Sequence, residues 1–313
     1  MQTIFFDDAT KLTEQAVATV GFFDGVHKGH RYLIERLKDV AKAKGHRSMI
    51  ITFDKHPRQV LRSEYQPMLL SSLDEKLQML AKTDADYCVV LPFTYDLAQL
   101  SAHDFMKRIL SEQLSVTTLM IGYDNRFGHQ REDGFEQYVG YGKEMGMEVL
   151  NADSFISEGN CVSSSMVRRL IAEGDMEKAG QCLGRPYRLA GKVVHGEAKG
   201  RTMGFPTANI EPDFKEKMLP KNGVYAVRAS LENEDRWLWG MMNIGSRPTF
   251  DGKKTTLEVN LLDFDGTIYG KHVCVDFVKR LRDEQLFPSK EALAAQLKTD
   301  EMHTRELACL MKD

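Results

Sequence analysis

Between residues 16 and 152, short apolar runs alternate with amphipathic stretches, and this alternation constrains the fold more than any other feature. The run AVATVGFF (16–23) reads as a buried strand. It is followed by HRYLIERLKDVAKAKG, where Leu33, Leu37 and Val40 recur at helical spacing and Gly45 supplies a stop. RSMIITFD (47–54), DYCVVLPF (86–93), TTLMIG (117–122) and MEVLNA (147–152) continue the strand series. Residues 72–82, 102–113 and 135–145 read as the helices between them. Strands alternating with helices predict a parallel sheet covered on both faces. Right-handed crossovers make such a sheet doubly wound and Rossmann-like.

The texture changes after about residue 184. Short β-rich runs such as YRLAGKVVHG, NGVYAVRASL, RWLWGMMNIG, TTLEVNLLDF and KHVCVDFVKRL are separated by Gly, Pro and Asn. Helical periodicity returns only over residues 290–311. Strands spaced in this way predict a compact antiparallel barrel capped by one C-terminal helix. A chain of 313 residues exceeds what one hydrophobic core usually organises, and the boundary is placed near Leu183.

Composition excludes some partners. The net charge of -3 lacks the basic excess that coating a phosphate backbone demands. No apolar run reaches the length of a membrane span, and the acidic N-terminus does not resemble a signal peptide. Cys88, Cys161, Cys182, Cys274 and Cys309 are scattered, with no CxxC pair. Idle thiols in a reducing cytoplasm are the expectation.

Two segments carry chemistry. The first is GFFDGVHKGH, residues 21–30, at the junction of the first strand and the first helix. Ligands of open α/β sheets sit at the carboxyl ends of strands. Gly21, Gly25 and Gly29 permit close backbone approach. A helix start offers free N–H groups to an anion. His27 and His30, three apart, are expected on one helix face, where two imidazoles can donate to a triphosphate and to the charge that builds during displacement. Read alone, the segment also fits a glycine-rich turn with incidental histidines, or a metal site completed by Asp24.

The second segment is GKVVHGEAKGRTMGFPTANI, residues 191–210. Gly196, Gly200 and Gly204 bracket Lys199 and Arg201, a basic loop suited to wrapping phosphates. Phe205-Pro206-Thr207-Ala208-Asn209 follows directly. Thr207 and Asn209 lie two apart on an extended chain, so they face one side. Their oxygens suit Mg²⁺ held together with nucleotide phosphates. Ordinary turn chemistry is the alternative for both. In TTLEVNLLDF, Glu258 and Asn260 point away from the apolar face carrying Leu257, Val259 and Leu261.

The motifs together resemble the bacterial bifunctional riboflavin kinase/FAD synthetase family. His27-Lys28-Gly29-His30 is similar to the HxGH signature of its nucleotidyltransferase module, TFDKHP (52–57) to TFxPHP, GYDNRFGHQREDG (122–134) to GxDFRFGxxRxG, and SSSMVRRLIAEGD (163–175) to SSTxIRxxLxxGD. The chain departs from these patterns at Lys55, Asn125, Ser165 and Met166. GxxxGRxxGFPTANI, NGVYAV, MNIGSRPTF, LEVNLLDFDGTIYG and VDFVKRLRDEQLF resemble the riboflavin kinase module.

The resemblance covers nearly the whole chain. It implies a Rossmann-like parallel-sheet nucleotidyltransferase domain over residues 1–183. An antiparallel six-stranded β-barrel kinase domain with a C-terminal helix follows over 184–313. It implies FMN made from riboflavin and MgATP, then FAD made from FMN and ATP. By family position, Gly21, Phe23, Asp24, Gly25, Gly29 and Arg168 bind nucleotide in the first module, with His27 and His30 as its working pair. Asp124, Arg126 and Phe127 line a flavin–adenine pocket. In the second module Gly196, Lys199, Gly200, Gly204 and Phe205 bind nucleotide, Thr207 and Asn209 the metal. Glu258 is implied as general base, with Arg282 and Phe287 as flavin contacts.

Overall fold

A computed structural model describes residues 1–61, 66–122, 126–129, 132–153, 155–157, 160–195, 204–232, 234, 236–249 and 252–311, without the side chains of 156–157, 160, 247–249 and 252–254. The chain forms two compact units, Met1–Ser164 and Ser165–Asp313.

The first unit runs β1 (Gln2–Phe5), β2 (Ala16–Val20), α1 (Lys28–Lys44), β3 (Arg47–Phe53), α2 (Pro57–Val60), α3 (Leu73–Ala81), β4 (Tyr87–Leu91), α4 (Tyr95–Gln99), α5 (Ala102–Asp104), β5 (Val116–Ile121), α6 (Phe135–Glu144) and β6 (Glu148–Asn151). A π-helical stretch, Phe105–Gln113, continues α5. A short ladder, β7 (Ile156–Ser157) with β8 (Asn160–Cys161), closes the unit. The main sheet has the order β1-β4-β3-β2-β5-β6, with parallel pairing throughout.

Alternation along β2 shows why the sheet is buried on both faces. Ala16, Ala18 and Val20 pack with Phe105, Met106, Leu110 and Tyr138. Val17 packs with Ile34 and Leu37 of α1 and Leu80 of α3. The chain winds from β2 outward to β3 and β4, then returns to β5 on the other side of β2. Its winding therefore reverses beside β2, the position where open α/β sheets form their ligand crevice.

The second unit starts one residue inside α7 (Ser164–Glu173) and continues with α8 (Met176–Leu183). Then come β9 (Tyr187–Val194), β10 (Ala208–Pro212), β11 (Gly223–Leu231), β12 (Trp237–Thr249), β13 (Gly252–Leu261), β14 (His272–Arg282) and α9 (Lys290–Leu310). The strands close a barrel in the order β10-β13-β12-β11-β14-β9, antiparallel at each junction. Closure removes the edges that an open antiparallel sheet would expose. On the outer surface Leu297 of α9 packs with Phe205, Trp239, Met241 and Leu262.

The division between the units precedes the expected Leu183 boundary, and the difference is the α7–α8 pair. The Lys221 N–H donates to the Ile171 carbonyl at 3.2 Å, and Lys279 pairs with Glu177 at 3.2 Å. A Cβ on Gly174 would lie 2.5 Å from Arg280 Cδ. Those contacts attach both helices to the barrel.

Candidate active sites

Three of the motifs sit at the carboxyl edge of the same sheet. GFFDGVHKGH follows β2, TFDKHP begins within β3, and the segment from Gly122 follows β5. The strand before the first motif stops at Val20, short of the expected Phe23. Phe23 and Val26 take positive φ of 54° and 39°, a backbone conformation that β-branched and bulky side chains avoid. Such residues persist only where surrounding contacts over-determine them, and each costs about 1–3 kcal/mol.

Asp24 supplies much of that over-determination. It is 2% exposed, and its carboxylate accepts from the Leu70 N–H at 3.0 Å, the Ser71 N–H at 3.1 Å and the Ser71 hydroxyl at 3.2 Å. The Gly25 N–H donates to Ser71 Oγ at 3.0 Å, and Ser164 Oγ donates to the Asp24 carbonyl at 3.0 Å. Asp24 thus ties the turn to the segment before α3. The Asp24→Ala variant leaves two buried backbone donors without their acceptor. It is expected to lower the unfolding free energy of this unit by about 3 kcal/mol, measured by denaturant titration.

The histidines meet differently from the expected shared helix face. His27 precedes α1 as its N-cap, with φ −70° and ψ 173°, and its Nδ1 accepts from the His30 N–H at 3.3 Å. The two rings stack with centroids 3.6 Å apart and planes 19° from parallel. Phe23 packs edge-on against His30 at 5.1 Å. A Cβ on Gly29 would lie 2.9 Å from the Val162 carbonyl oxygen, so glycine is what lets the helix start approach that backbone. Burial pushes His30 well below its ordinary range, and His27 and Lys76 push it further the same way. His30 Nδ1 is buried without a hydrogen-bond partner among the described residues.

Lys76, on α3, is the residue that sequence reasoning passed over. It is 2% exposed. Its Nζ donates to the Phe22 carbonyl at 3.1 Å and the Phe53 carbonyl at 2.8 Å, and lies 4.2 Å from the centre of the Phe22 ring. The available signal was a lysine within the Leu73, Leu77, Leu80 stripe.

The remaining first-module residues divide. Phe127 stacks on Tyr138 at 4.4 Å and packs against the core beside Phe105, with Tyr138 Oη donating to its carbonyl at 3.0 Å. Arg126 is exposed. Asp124, like Asn125, lies outside the described residues. Arg168 lies on α7, in the second unit.

In the barrel, Asn209 of β10 pairs with Glu258 of β13, and Glu258 pairs with Asn243 of β12. Directly paired residues share a face, so register brings these three polar side chains to the barrel's outer surface. Thr207 Oγ1 donates to Glu258 Oε2 at 3.4 Å. Asn260 Nδ2 donates to the Pro206 carbonyl at 2.7 Å and fixes the turn into β10. The face expected to be solvated is covered here: Asn260 is 7% exposed and Glu258 half-buried. Asn243 was not singled out from sequence, because register alone places it opposite Glu258.

Gly204, with φ +80°, leads into Phe205, which is buried against Met241 and Leu262. Gly196, Lys199 and Gly200 lie outside the described residues. Arg282 contacts Phe287, with 5.5 Å from guanidinium to ring centre. Its Nε and Nη2 reach buried Asp300 of α9 at 2.9 Å, so it pins the C-terminal helix to β14.

Among the described residues no helix is long and apolar enough to cross a membrane. A crystal structure described as a macrolide-efflux protein from Streptococcus pneumoniae superposes with a TM-score of 0.86 at 30% identity, covering 97% of this chain and 98% of that one. The family model for FAD synthetase matches residues 9–166, and that for riboflavin kinase matches residues 183–308. The bifunctional riboflavin kinase/FMN adenylyltransferase of Escherichia coli K12 is 38% identical, covering 96% of this chain and 95% of the relative. The protein of the same name from Listeria monocytogenes is 37% identical, covering 95% and 94%. With two family models in tandem and relatives matched nearly end to end, the chain belongs to the bifunctional riboflavin kinase/FMN adenylyltransferase family and carries both activities.

Proposed function

We propose that each unit houses one of the two reactions and that the named side chains divide the work as follows. In the barrel, the riboflavin 5′-hydroxyl attacks the γ-phosphorus of ATP. The phosphoryl group passes to that oxygen, its proton goes to Glu258, and ADP leaves. In the first unit, a phosphate oxygen of FMN attacks the α-phosphorus of ATP and pyrophosphate leaves. His27 and His30 donate to the charge that develops on the phosphates. Arg168, on α7 of the second unit, is assigned to the triphosphate by its family position alone. No nucleophilic side chain is needed, because the acceptor brings its own phosphate. The adenylyltransferase module is taken as residues 1–183 and the kinase module as 184–313.

Thr207, Asn209 and Glu258 form an oxygen-only donor set, and Thr207 and Glu258 are already within 3.4 Å. That set fits Mg²⁺, which Thr207 and Asn209 would hold. When bound, the ion supplies charge neutralisation on the nucleotide phosphates. In the first unit Asp24 is occupied by Leu70 and Ser71, and among the described residues no group of three His, Cys, Asp or Glu could hold a metal. A divalent ion would therefore enter that site on the nucleotide. Gly196, Lys199, Gly200 and Gly204 are assigned to the kinase nucleotide, with Phe205 beside them. Asp124, Arg126, Phe127, Arg282 and Phe287 are assigned to flavin. The five cysteines, scattered along the chain with no CxxC pair, fit a cytoplasmic setting.

The observation that carries this reading is the separation of chemistries: the imidazole pair lies in one unit and the oxygen donor set in the other. The test incubates the purified protein with MgATP and riboflavin, and separately with MgATP and FMN, resolving flavins by chromatography. FMN and FAD are expected from the first mixture and FAD from the second. No FMN from riboflavin would sink the kinase assignment, and FMN without FAD would confine activity to the barrel.

A further inference from the structure

Buried lysines are rare because removing an ammonium from water is costly unless its donors are met. Lys76 meets that requirement in an unusual way. Its partners are the carbonyls of Phe22 and Phe53 and the face of the Phe22 ring. These neutral acceptors satisfy the hydrogen bonds without cancelling the charge. Asp24, the nearest carboxylate by influence, is directed at Leu70 and Ser71.

The position of this charge matters. Phe22 lies in the turn that carries Asp24, Gly25, His27 and His30, and Phe53 closes β3, which pairs with β2. The Lys76 ammonium therefore clamps the turn after β2 to the end of β3, beside the strand at which the winding of the sheet reverses. Thr52 Oγ1 donates to the same Phe22 carbonyl at 3.1 Å. The lysine is itself held in place through the chain. Asp24 binds the amides of Leu70 and Ser71, and the next residue, Ser72, caps α3. Ser72 Oγ accepts from the Glu75 N–H at 3.2 Å while Glu75 Oε2 accepts from the Ser72 N–H at 2.9 Å. Lys76 is the following residue, so turn, cap and clamp form one closed circuit.

We propose that Lys76 is a positioning residue for adenylyl transfer: its ammonium fixes the Phe22 turn under the histidine pair and places a buried positive charge beneath the triphosphate. The inference rests on assigning that reaction to the first unit. Lys76 touches no reacting atom in this arrangement. It acts through the Phe22 carbonyl and through a field that a low-dielectric surrounding does not screen.

A purely structural lysine and a charged positioning lysine differ in their pH behaviour. Burial brings Lys76 down to about 8, so its charge is lost within the alkaline working range. The groups facing it are the carboxylates of Asp24 and Asp54, the Cys88 thiol on β4 and His30 on α1, which stacks on His27. Cys88 is pushed up to about 11 and His30 well below 6.5. Neither produces a limb near 8.

The experiment measures kcat/KM, which reports the ionisations of the free enzyme, for FAD formation from FMN and MgATP across the alkaline range, with FMN formation from riboflavin in the same preparations as reference. The wild type is expected to lose FAD formation as pH rises through about 8. Lys76→Met is expected to lose about 10- to 100-fold at neutral pH and to show no limb near 8. Its kinase rate should equal the wild type's. Lys76→Gln keeps donors but not charge and serves the same comparison should the methionine variant fail to fold. A Lys76→Met rate within about twofold of wild type, or an unchanged alkaline limb in either variant, would overturn the proposal. A wild type that makes no FAD at all would instead overturn the assignment of the reaction.

Discussion

In the His30→Ala variant, FAD formation from FMN and ATP is expected to fall by about 10²- to 10³-fold, while FMN formation from riboflavin stays at the wild-type rate. The size of the effect follows from the environment of the ring. His30 stacks on His27, is held edge-on by Phe23, and has Nδ1 buried without a hydrogen-bond partner among the described residues. A buried polar atom left unpaired carries an energetic cost that an incoming ligand can relieve. Burial, His27 and Lys76 all favour the neutral imidazole in the ligand-free site. A triphosphate reverses that balance, since negative charge beside the ring favours its protonated form. Alanine removes both the donor and the charge that arrives with substrate.

The same burial makes a stability prediction that separates folding from catalysis. The folded chain binds fewer protons at His30 than the unfolded chain does below about 6.5. Stability from this group is therefore full above that pH and is lost on acidification. The alanine variant should show a weaker loss in acid, measured by denaturant titration, even though its activity at neutral pH is nearly gone. Loss of both activities in a folded His30→Ala protein would contradict the two-site arrangement.

The sequence made the architecture legible because period and length were unambiguous in most elements. The runs at 47–54 and 86–93 became β3 and β4, and the 72–82 helix began at a serine cap that its SLDE spacing announces. Misses occurred where local geometry outran pattern. The QTIF strand is short and largely exposed, and it joins the sheet edge beside β4 without an apolar run to signal it. Residues 102–113 have helical periodicity, but a window so short cannot separate an α turn from the π-helical stretch that the chain adopts. The early end of β2 depends on Phe23 and Val26 at positive φ, which residue preference argues against.

Of the sites, residue identity was legible and company was not. His27 and His30 meet, but through a cap and a stack where sequence spacing implied one helix face. Asp24 looked available to phosphate or metal, yet its carboxylate organises the 70–71 segment. Arg282 and Phe287 do touch each other, while the guanidinium also holds Asp300, a partner eighteen positions away that no motif suggested. Lys76 became visible only when strand ends and α3 were assembled, because its partners are backbone carbonyls, which leave no trace in a sequence.

In the Glu258→Gln variant the opposite split is expected: FMN formation from riboflavin falls by about 10²-fold or more, and FAD formation from supplied FMN is retained. Glutamine preserves volume and one acceptor oxygen, so the barrel should keep its register at the Asn209–Glu258–Asn243 row. What it removes is the capacity to take the hydroxyl proton. Phosphoryl transfer depends mainly on alignment and charge neutralisation, so the loss measures the base against those larger contributions. A companion Thr207→Val change tests the other half of the site. It deletes the hydroxyl that faces Glu258 at 3.4 Å while leaving the carboxylate in place. If Thr207 serves the metal–nucleotide, its loss should raise the Mg²⁺ concentration needed for half-maximal FMN formation. The Glu258→Gln loss should persist at saturating Mg²⁺. A Glu258→Gln enzyme rescued fully by added Mg²⁺ would show that the carboxylate acts by holding the ion and not by accepting the proton.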